Sequence, residues 1–276
     1  SFNLDPFMVG LGDADDPVGR LQAACASNRL SGAAIALVGE DVTWTYAFGR
    51  DRAGTPLTTT ARVGLGCVGK LFVTTLVAAL VREGALNLDD EIASHLDLDA
   101  HDDAPPLRGI TIRHLLSHSD GIGYRALAWV PVDSHGLIDL AAIVAAITSD
   151  ASDFEPGKYC VEGHCGFGLV GALVERQTRQ SWTAMLRSEL LERFGGTRIA
   201  HEERPATEAG ACPSSGRGLA LNVLELGDFL RMHLNPDAVQ VPLFRRRDWA
   251  SFLFERQGEC PGWTPTQTGC AVGWKT

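Results

Sequence analysis

The sequence predicts a mixed α/β (α+β) fold in which an antiparallel sheet is joined to a long, mostly helical block. Three observations carry this. Residues 33–50 hold two β-branched and aromatic runs broken at Gly39–Asp41, the pattern of a hairpin. From Cys67 to about residue 235 the apolar spacing is helical nearly throughout. The chain then closes on "TGCAVGWKT", which reads as a strand. One hairpin and one strand make a poor sheet, because strands need partners and a covering layer. Further strands are therefore expected beyond Thr276, or from another chain.

The elements follow in order. "DPVGRLQAACASNRL" reads as a first helix, with Asp16 as N-cap and Pro17 at the first position. The hairpin comes next, and "DRAGTPLTTTARVG" is a turn-rich loop. "CVGKLFVTTLVAALVREG" is apolar on nearly every side and ends at Gly84, which predicts a deeply buried helix starting at Cys67 and closed by a C′ glycine. "ALNLDDEIASHL" opens a short helix capped near Asp89 or Asp90, and "ITIRHLLSHSDGI" reads as another stopped at Gly121. "LIDLAAIVAAI" is helical, and "FEPGKYCVEGHC" is a loop turning at Pro156 and Gly157. "GFGLVGALVERQTRQSWTAMLRSELLERF" predicts two helices joined near Arg179. The last helix starts near Asn222. The expected organisation is residues 1–64 as helix and sheet hairpin, 65–235 as a mostly helical lobe, and 236–276 as a return to the sheet, ending in a strand.

Composition narrows the function. With 45% hydrophobic and 21% charged residues, the 276-residue chain can bury a real core. Its net charge of -10 argues against nucleic acid or an anionic membrane as partner, since both need a basic face. No apolar run approaches the roughly 20 residues of a spanning helix. "SFNLDPFMVG" lacks the basic and apolar parts of a signal peptide, and seven scattered cysteines do not form a disulfide framework. Both favour a reducing, cytoplasmic setting.

The stretch "GLGCVGKLF", residues 64–72, carries the chemistry. Cys67 and Lys70 are three apart, so on a helix they share a face. A nucleophile in the first turn also meets the helix's unpaired N–H groups and positive end. Dipole and ammonium both favour thiolate over thiol, and the same N–H groups can stabilise an oxyanion. Taken alone, C-x-x-K is a weak motif, and the pair fits a buried filler cysteine with a snorkelling lysine better than a catalytic pair. "CVEGHC" gathers Cys160, Glu162, His164 and Cys165 in six residues, but no second half at ligand spacing accompanies it. His114 and His118, four apart, would share a face of their predicted helix. No metal or organic cofactor is expected at either place.

The segment around Cys67 resembles the S-x-x-K region of the serine β-lactamase and penicillin-binding protein superfamily, in the branch of class C β-lactamases, esterases and D-aminopeptidases. "RVGLGCVGKLFVTTLVAALVREGALNLDD" is similar to the run F-x-I-x-S-V-T-K-x-F-T-A-x-L-V-A-x-L-V-E-E-G-K-L-x-L-D-D. "ITIRHLLSHSDGI" is similar to I-T-I-R-H-L-L-T-H-T-S-G-L, and "PGKYCVEGHCGFGLVGALVE" to P-G-x-x-F-x-Y-S-N-x-G-Y-x-L-L-G-x-I-I-E. "GRGLALNVLELGDFLRMHL" and "CAVGWKT" resemble G-G-L-x-S-T-A-x-D-L-A-R-F and Y-G-L-G-W. The resemblance runs in order from about Ala33 to the end. It implies an α-β-α sandwich with an all-helical lobe, and acyl transfer through a covalent acyl-enzyme.

Three departures shape what carries over. Cys67 stands where the family has its nucleophilic serine. Glu162, Gly163 and His164 replace Y-S-N, so Glu162 or His164 becomes the second acid/base. The family's K-T-G or H-T-G strand should follow Y-G-L-G-W, yet the sequence stops at Thr276. "QTGCAVGW" read as that last motif fits the spacing less well. By resemblance, Cys67 is the nucleophile, Lys70 tunes it and shuttles a proton, and the Cys67 N–H forms half of an oxyanion hole. The expected partners are a small-molecule or peptide acyl substrate, and a C-terminal fragment or second chain that completes the sheet. A thioester intermediate is a good donor to amines and thiols, which favours acyl transfer over hydrolysis. The alternative is a catalytically silent binding module.

Overall fold

A computed structural model describes residues 17–39, 43–98, 107–122, 137–148, 154–161, 163, 165–191, 219–234, 270–271 and 274–275. The chain divides into two compact units, one of Ser1–Val63 with Leu221–Gln240, the other of Gly64–Ala220 with Val241–Thr276.

In the first unit, helix α1 (Pro17–Ser27) leads into an antiparallel hairpin of β1 (Gly32–Val38) and β2 (Thr43–Gly49), with Gly32 opposite Gly49 and Val38 opposite Thr43. Side chains alternate across a strand. Trp44, Tyr46 and Phe48 therefore share one face, where their rings stack at 5.9 and 6.0 Å. From α1, Gln22 Nε2 donates to Tyr46 Oη at 3.1 Å. The last helix of this unit, Val223–Leu234, packs on both strands. A Cβ at its Gly227 would lie 3.1 Å from Thr43 Cγ2 and 3.4 Å from Ala36 Cβ, so it covers the opposite face. One helix thus covers one face of the hairpin, and Gln22 of α1 reaches Tyr46 on the other. Asn222 caps that last helix, its Oδ1 accepting from Leu224 N and Glu225 N, while Glu225 Oε2 accepts from Asn222 N.

The second unit is helical. A 3₁₀ turn (Gly66–Gly69) leads into α2 (Lys70–Arg82), followed by α3 (Ile92–His95), α4 (Ile112–Leu116), α5 (Leu140–Thr148), α6 (Cys165–Thr178) and α7 (Trp182–Leu186), the last running on as a π-helical turn, Arg187–Leu191. Numbered in this order, the Val223–Leu234 helix is α8. The unit's core centres on α6, which contacts α2, α3, α4, α5 and α7. Phe167, Leu169, Val170, Leu173 and Val174 are completely buried. Glu175 ties its neighbours to it, Oε2 accepting from Ile138 N and Oε1 from Trp182 N. As the all-round apolar pattern predicts, α2 is buried along most of its length. The threonines of α2 satisfy their hydroxyls internally, Thr74 on the Lys70 carbonyl and Thr75 on the Leu71 carbonyl. Gly84, at φ 72°, ends it with Gly84 N on Val81 O and Ala85 N on Leu80 O.

The chain passes from one unit to the other at β3 (Val63–Gly64) and β4 (Ala220–Leu221), which pair as a short ladder. The terminal segment differs from the single strand its pattern predicts: Cys270–Ala271 (β5) pairs antiparallel with Trp274–Lys275 (β6). The short helix expected to be capped at Asp89 or Asp90 takes Glu91 as N-cap instead. Asp89 is engaged by Arg113, at 2.7 and 3.0 Å, and Asp90 by His95 at 3.0 Å. No helix among the described residues is long and apolar enough to cross a membrane.

Candidate active site

Cys67 lies in the 3₁₀ turn, and Lys70 is the first residue of α2. The turn exists because the chain arrives extended, with Leu65 N on Leu219 O at 2.8 Å, and must then coil at once. Gly66 makes the change at φ 54°, where a side chain is disfavoured. Val68 N then bonds Leu65 O at 3.2 Å, and Lys70 N bonds Cys67 O. The helix expected to begin at Cys67 thus begins one tight turn later. The thiol is exposed at its mouth, while Lys70 is only 3% exposed. Lys70 Nζ lies over the Phe167 ring, 5.4 Å from its centroid, a geometry in which the ring's negative face attracts an ammonium.

Phe167 connects this pair to the "SHSDG" run. Its ring centroid is 5.1 Å from that of His118. The helix expected to run to Gly121 ends at Leu116 instead. Ser119 N bonds His114 O at 2.8 Å and His118 N bonds Leu115 O at 3.3 Å, a Schellman closure with His118 at C′. His118 is held at φ 57°, a conformation usually left to glycine. His114 and His118 therefore do not share a helical face. His114 serves the other end of α4: its backbone N–H donates to Thr111 Oγ1, and its Nδ1 accepts from Thr111 N. Burial holds its imidazole below the usual histidine range. No group of three or more metal-binding side chains occurs among the described residues.

The turn after α4 also anchors the loop before α6. Gly157 N donates to Ser119 O at 2.7 Å, Val161 N to His118 O at 2.8 Å, and Gly163 N to His118 Nδ1 at 3.4 Å. Glu162 and His164 lie outside the described residues; their sequence neighbours Val161 and Gly163 are the ones tied to His118. Cys160 and Cys165 are both buried. Ser117 and Ser119 are fully buried with their hydroxyls 2.8 Å apart, Ser117 also donating to Arg113 O. Asp120 is buried as well, its Oδ1 accepting from Ile122 N at 2.8 Å. Burial pushes its carboxyl up to about 7, the Ile122 hydrogen bond opposing only in part. Of the four expected site residues, Cys67 and Lys70 are among the described residues. His118, Phe167 and Asp120 were not singled out as site residues, although a polar run at a helix end was a visible signal.

An exposed thiol on the turn that opens a buried helix, a lysine one turn on, and a hairpin covered by a helix elsewhere in the chain fit a β-lactamase-like fold. The chain belongs to the β-lactamase family, whose model matches residues 18–221. It is 30% identical over 284 residues to penicillin-binding protein 4 of Amycolatopsis lactamdurans, covering 92% of this chain and 73% of that protein. Its fold is similar to the octameric penicillin-binding protein homologue from Pyrococcus abyssi, with TM-score 0.74 and 21% identity over 94% of this chain and 65% of the other. It is similar again to the D-alanine carboxypeptidase AmpC from Burkholderia cenocepacia, with TM-score 0.70 and 18% identity over 92% and 71%. The chain thus spans about two thirds to three quarters of these relatives.

Proposed function

We propose that the protein forms a covalent acyl-enzyme on Cys67 and hands the acyl group to an amine, thiol or alcohol in preference to water. The observation that carries this is the exposed Cys67 thiol on the turn opening α2, with buried Lys70 one turn along. In the first step a C–S bond forms between Cys67 and the acyl carbonyl, the bond to the leaving group breaks, and the leaving group receives a proton through Lys70. In the second step the acceptor attacks the thioester and loses its proton to Glu162 or His164, which passes it to the Cys67 sulfur as the C–S bond breaks, restoring the thiol. The donor is a small-molecule or peptide amide, ester or thioester. Names among the relatives, penicillin-binding protein and D-alanine carboxypeptidase, make peptides ending in a D-amino acid the first probes to try. A β-lactam is not the expected physiological substrate, because Cys67 replaces the serine and Y-S-N is lost.

Intact-mass spectrometry after exposure to activated acyl esters tests this. A single adduct on the parent, absent from Cys67→Ala, supports the reading. An unmodified parent leaves a binding module as the better account. Competition between water and a saturating amine then separates transfer from hydrolysis, and exclusive hydrolysis would sink the transferase half.

A further inference from the structure

His118 belongs to neither the proposed nucleophile pair nor the proposed acid/base, yet three elements converge on it. Its backbone closes α4 as the C′ residue at φ 57°. A glycine there would close the helix more cheaply, since a β-carbon is disfavoured in the left-handed region. Its carbonyl and its Nδ1 accept the N–H groups of Val161 and Gly163, the residues on either side of Glu162. Accepting at Nδ1 requires that nitrogen to be bare, which leaves the neutral ring's proton on Nε2. Its ring packs on Phe167, over which Lys70 Nζ lies. One side chain therefore touches the loop on one hand and the lysine's aromatic support on the other.

We propose that His118 is a positioning residue that fixes the Val161–Gly163 segment relative to Phe167 and Lys70. This rests on the function proposed above, because that reading makes the segment and Lys70 partners in one reaction. The Val161 bond uses the backbone carbonyl, so any residue at 118 can keep it. The Gly163 bond uses the ring, so only a side chain with an acceptor near the Nδ1 position can. That difference separates a positioning role from a merely structural one.

Two variants isolate it. His118→Gly keeps the αL closure and removes the acceptor. His118→Asn tolerates αL and supplies a carbonyl oxygen close to the place of Nδ1. Both lose the ring packing on Phe167 alike, so the difference between them reads the hydrogen bond. Two readouts are followed: amide hydrogen exchange at Gly163, and the rate of Cys67 acylation by an activated ester. His118→Gly is expected to exchange about tenfold faster at Gly163 and to acylate about tenfold more slowly, the scale of one hydrogen bond. His118→Asn is expected to recover most of both. Parent-like exchange and acylation in His118→Gly, or an Asn variant no better than the Gly variant, overturns the proposal. If the parent itself is not acylated at Cys67, the proposed function falls, and exchange at Gly163 alone decides whether His118 holds the loop.

Discussion

The carboxyl group of Asp120 occupies the space that a side chain at Gly166 would need. Its Oδ2 lies 2.9 Å from where a Cβ at residue 166 would stand, and Leu115 Cδ2 lies 3.4 Å away. The leucine methyl can swing aside, but the carboxyl is held by the Ile122 N–H on its other oxygen. Gly166→Ala is therefore expected to destabilise the protein by about 1–3 kcal/mol through overpacking, outweighing the gain in helix propensity. Urea unfolding measures it. In an Asp120→Ala background the same substitution is expected to cost much less, because the obstructing group is gone. Equal costs in the two backgrounds would place the clash elsewhere.

The same carboxyl makes stability fall as pH rises. Its folded value is about 7 against the ordinary 3.8. Between those values the unfolded chain has released a proton that the folded chain still holds. The contribution is whole below about pH 4 and is lost by pH 7–8, amounting to about 4 kcal/mol. His233 in the other unit works in the opposite direction. Burial depresses its imidazole to about 4 from 6.5, against the bond its Nδ1–H donates to Phe229 O. Its contribution is present above pH 6.5 and is lost as pH falls towards 4. Asp120→Asn should raise stability at pH 8 and leave it nearly unchanged at pH 4. His233→Gln should flatten the acid limb instead. Denaturant midpoints across pH 4–8 for both variants check the two signs.

Phe167 supports Lys70 and His118 at once, so a substitution there should affect chemistry more than folding. Phe167→Leu keeps an apolar side chain in the α6 core but removes the ring that Lys70 Nζ and His118 face. The expected loss of stability is about 1–2 kcal/mol, from reduced packing and a lost cation–π contact. The rate of Cys67 acylation should fall several-fold further than the small change in unfolded population explains. Parent-like acylation in a well-folded Phe167→Leu protein would remove the ring from the site.

What the sequence made legible was local. The C′ glycine at residue 84, the helix start near Asn222 and the break at Gly39–Asp41 each depend on a few adjacent residues, and each led to the right element. The failures have a common physical origin. "SHSDG" reads as the continuation of a helix to Gly121, yet the helix ends at Leu116, and Ser117 and Ser119 are completely buried and Asp120 nearly so. Their hydroxyl and carboxyl partners come from the turn itself, which periodicity does not register. His118 is an ordinary helix residue by propensity, and only the pair of bonds closing α4 reveals it at a glycine's position. Lys70 and Phe167 meet because α2 packs on α6, and nothing in the spacing of either helix alone announces that contact.

Thr43 offers a test of the first unit that is independent of the site. Its Oγ1 is buried with no hydrogen-bond partner among the described residues, while its methyl faces Gly227 of α8. A buried hydroxyl without a partner forfeits its hydration for nothing in return, a penalty of about 1–3 kcal/mol. Valine has nearly the same shape and replaces the hydroxyl with a second methyl suited to a strand that packs under a helix. The opposed residue is Val38, so the new methyl joins an apolar face rather than creating one. Thr43→Val is expected to stabilise the protein by about 1 kcal/mol, raising the thermal midpoint by about 2 °C. Differential scanning calorimetry reads the shift directly. A lower midpoint would mean that the hydroxyl is satisfied after all, and that α8 sits on the hairpin less tightly than the Gly227 approach implies.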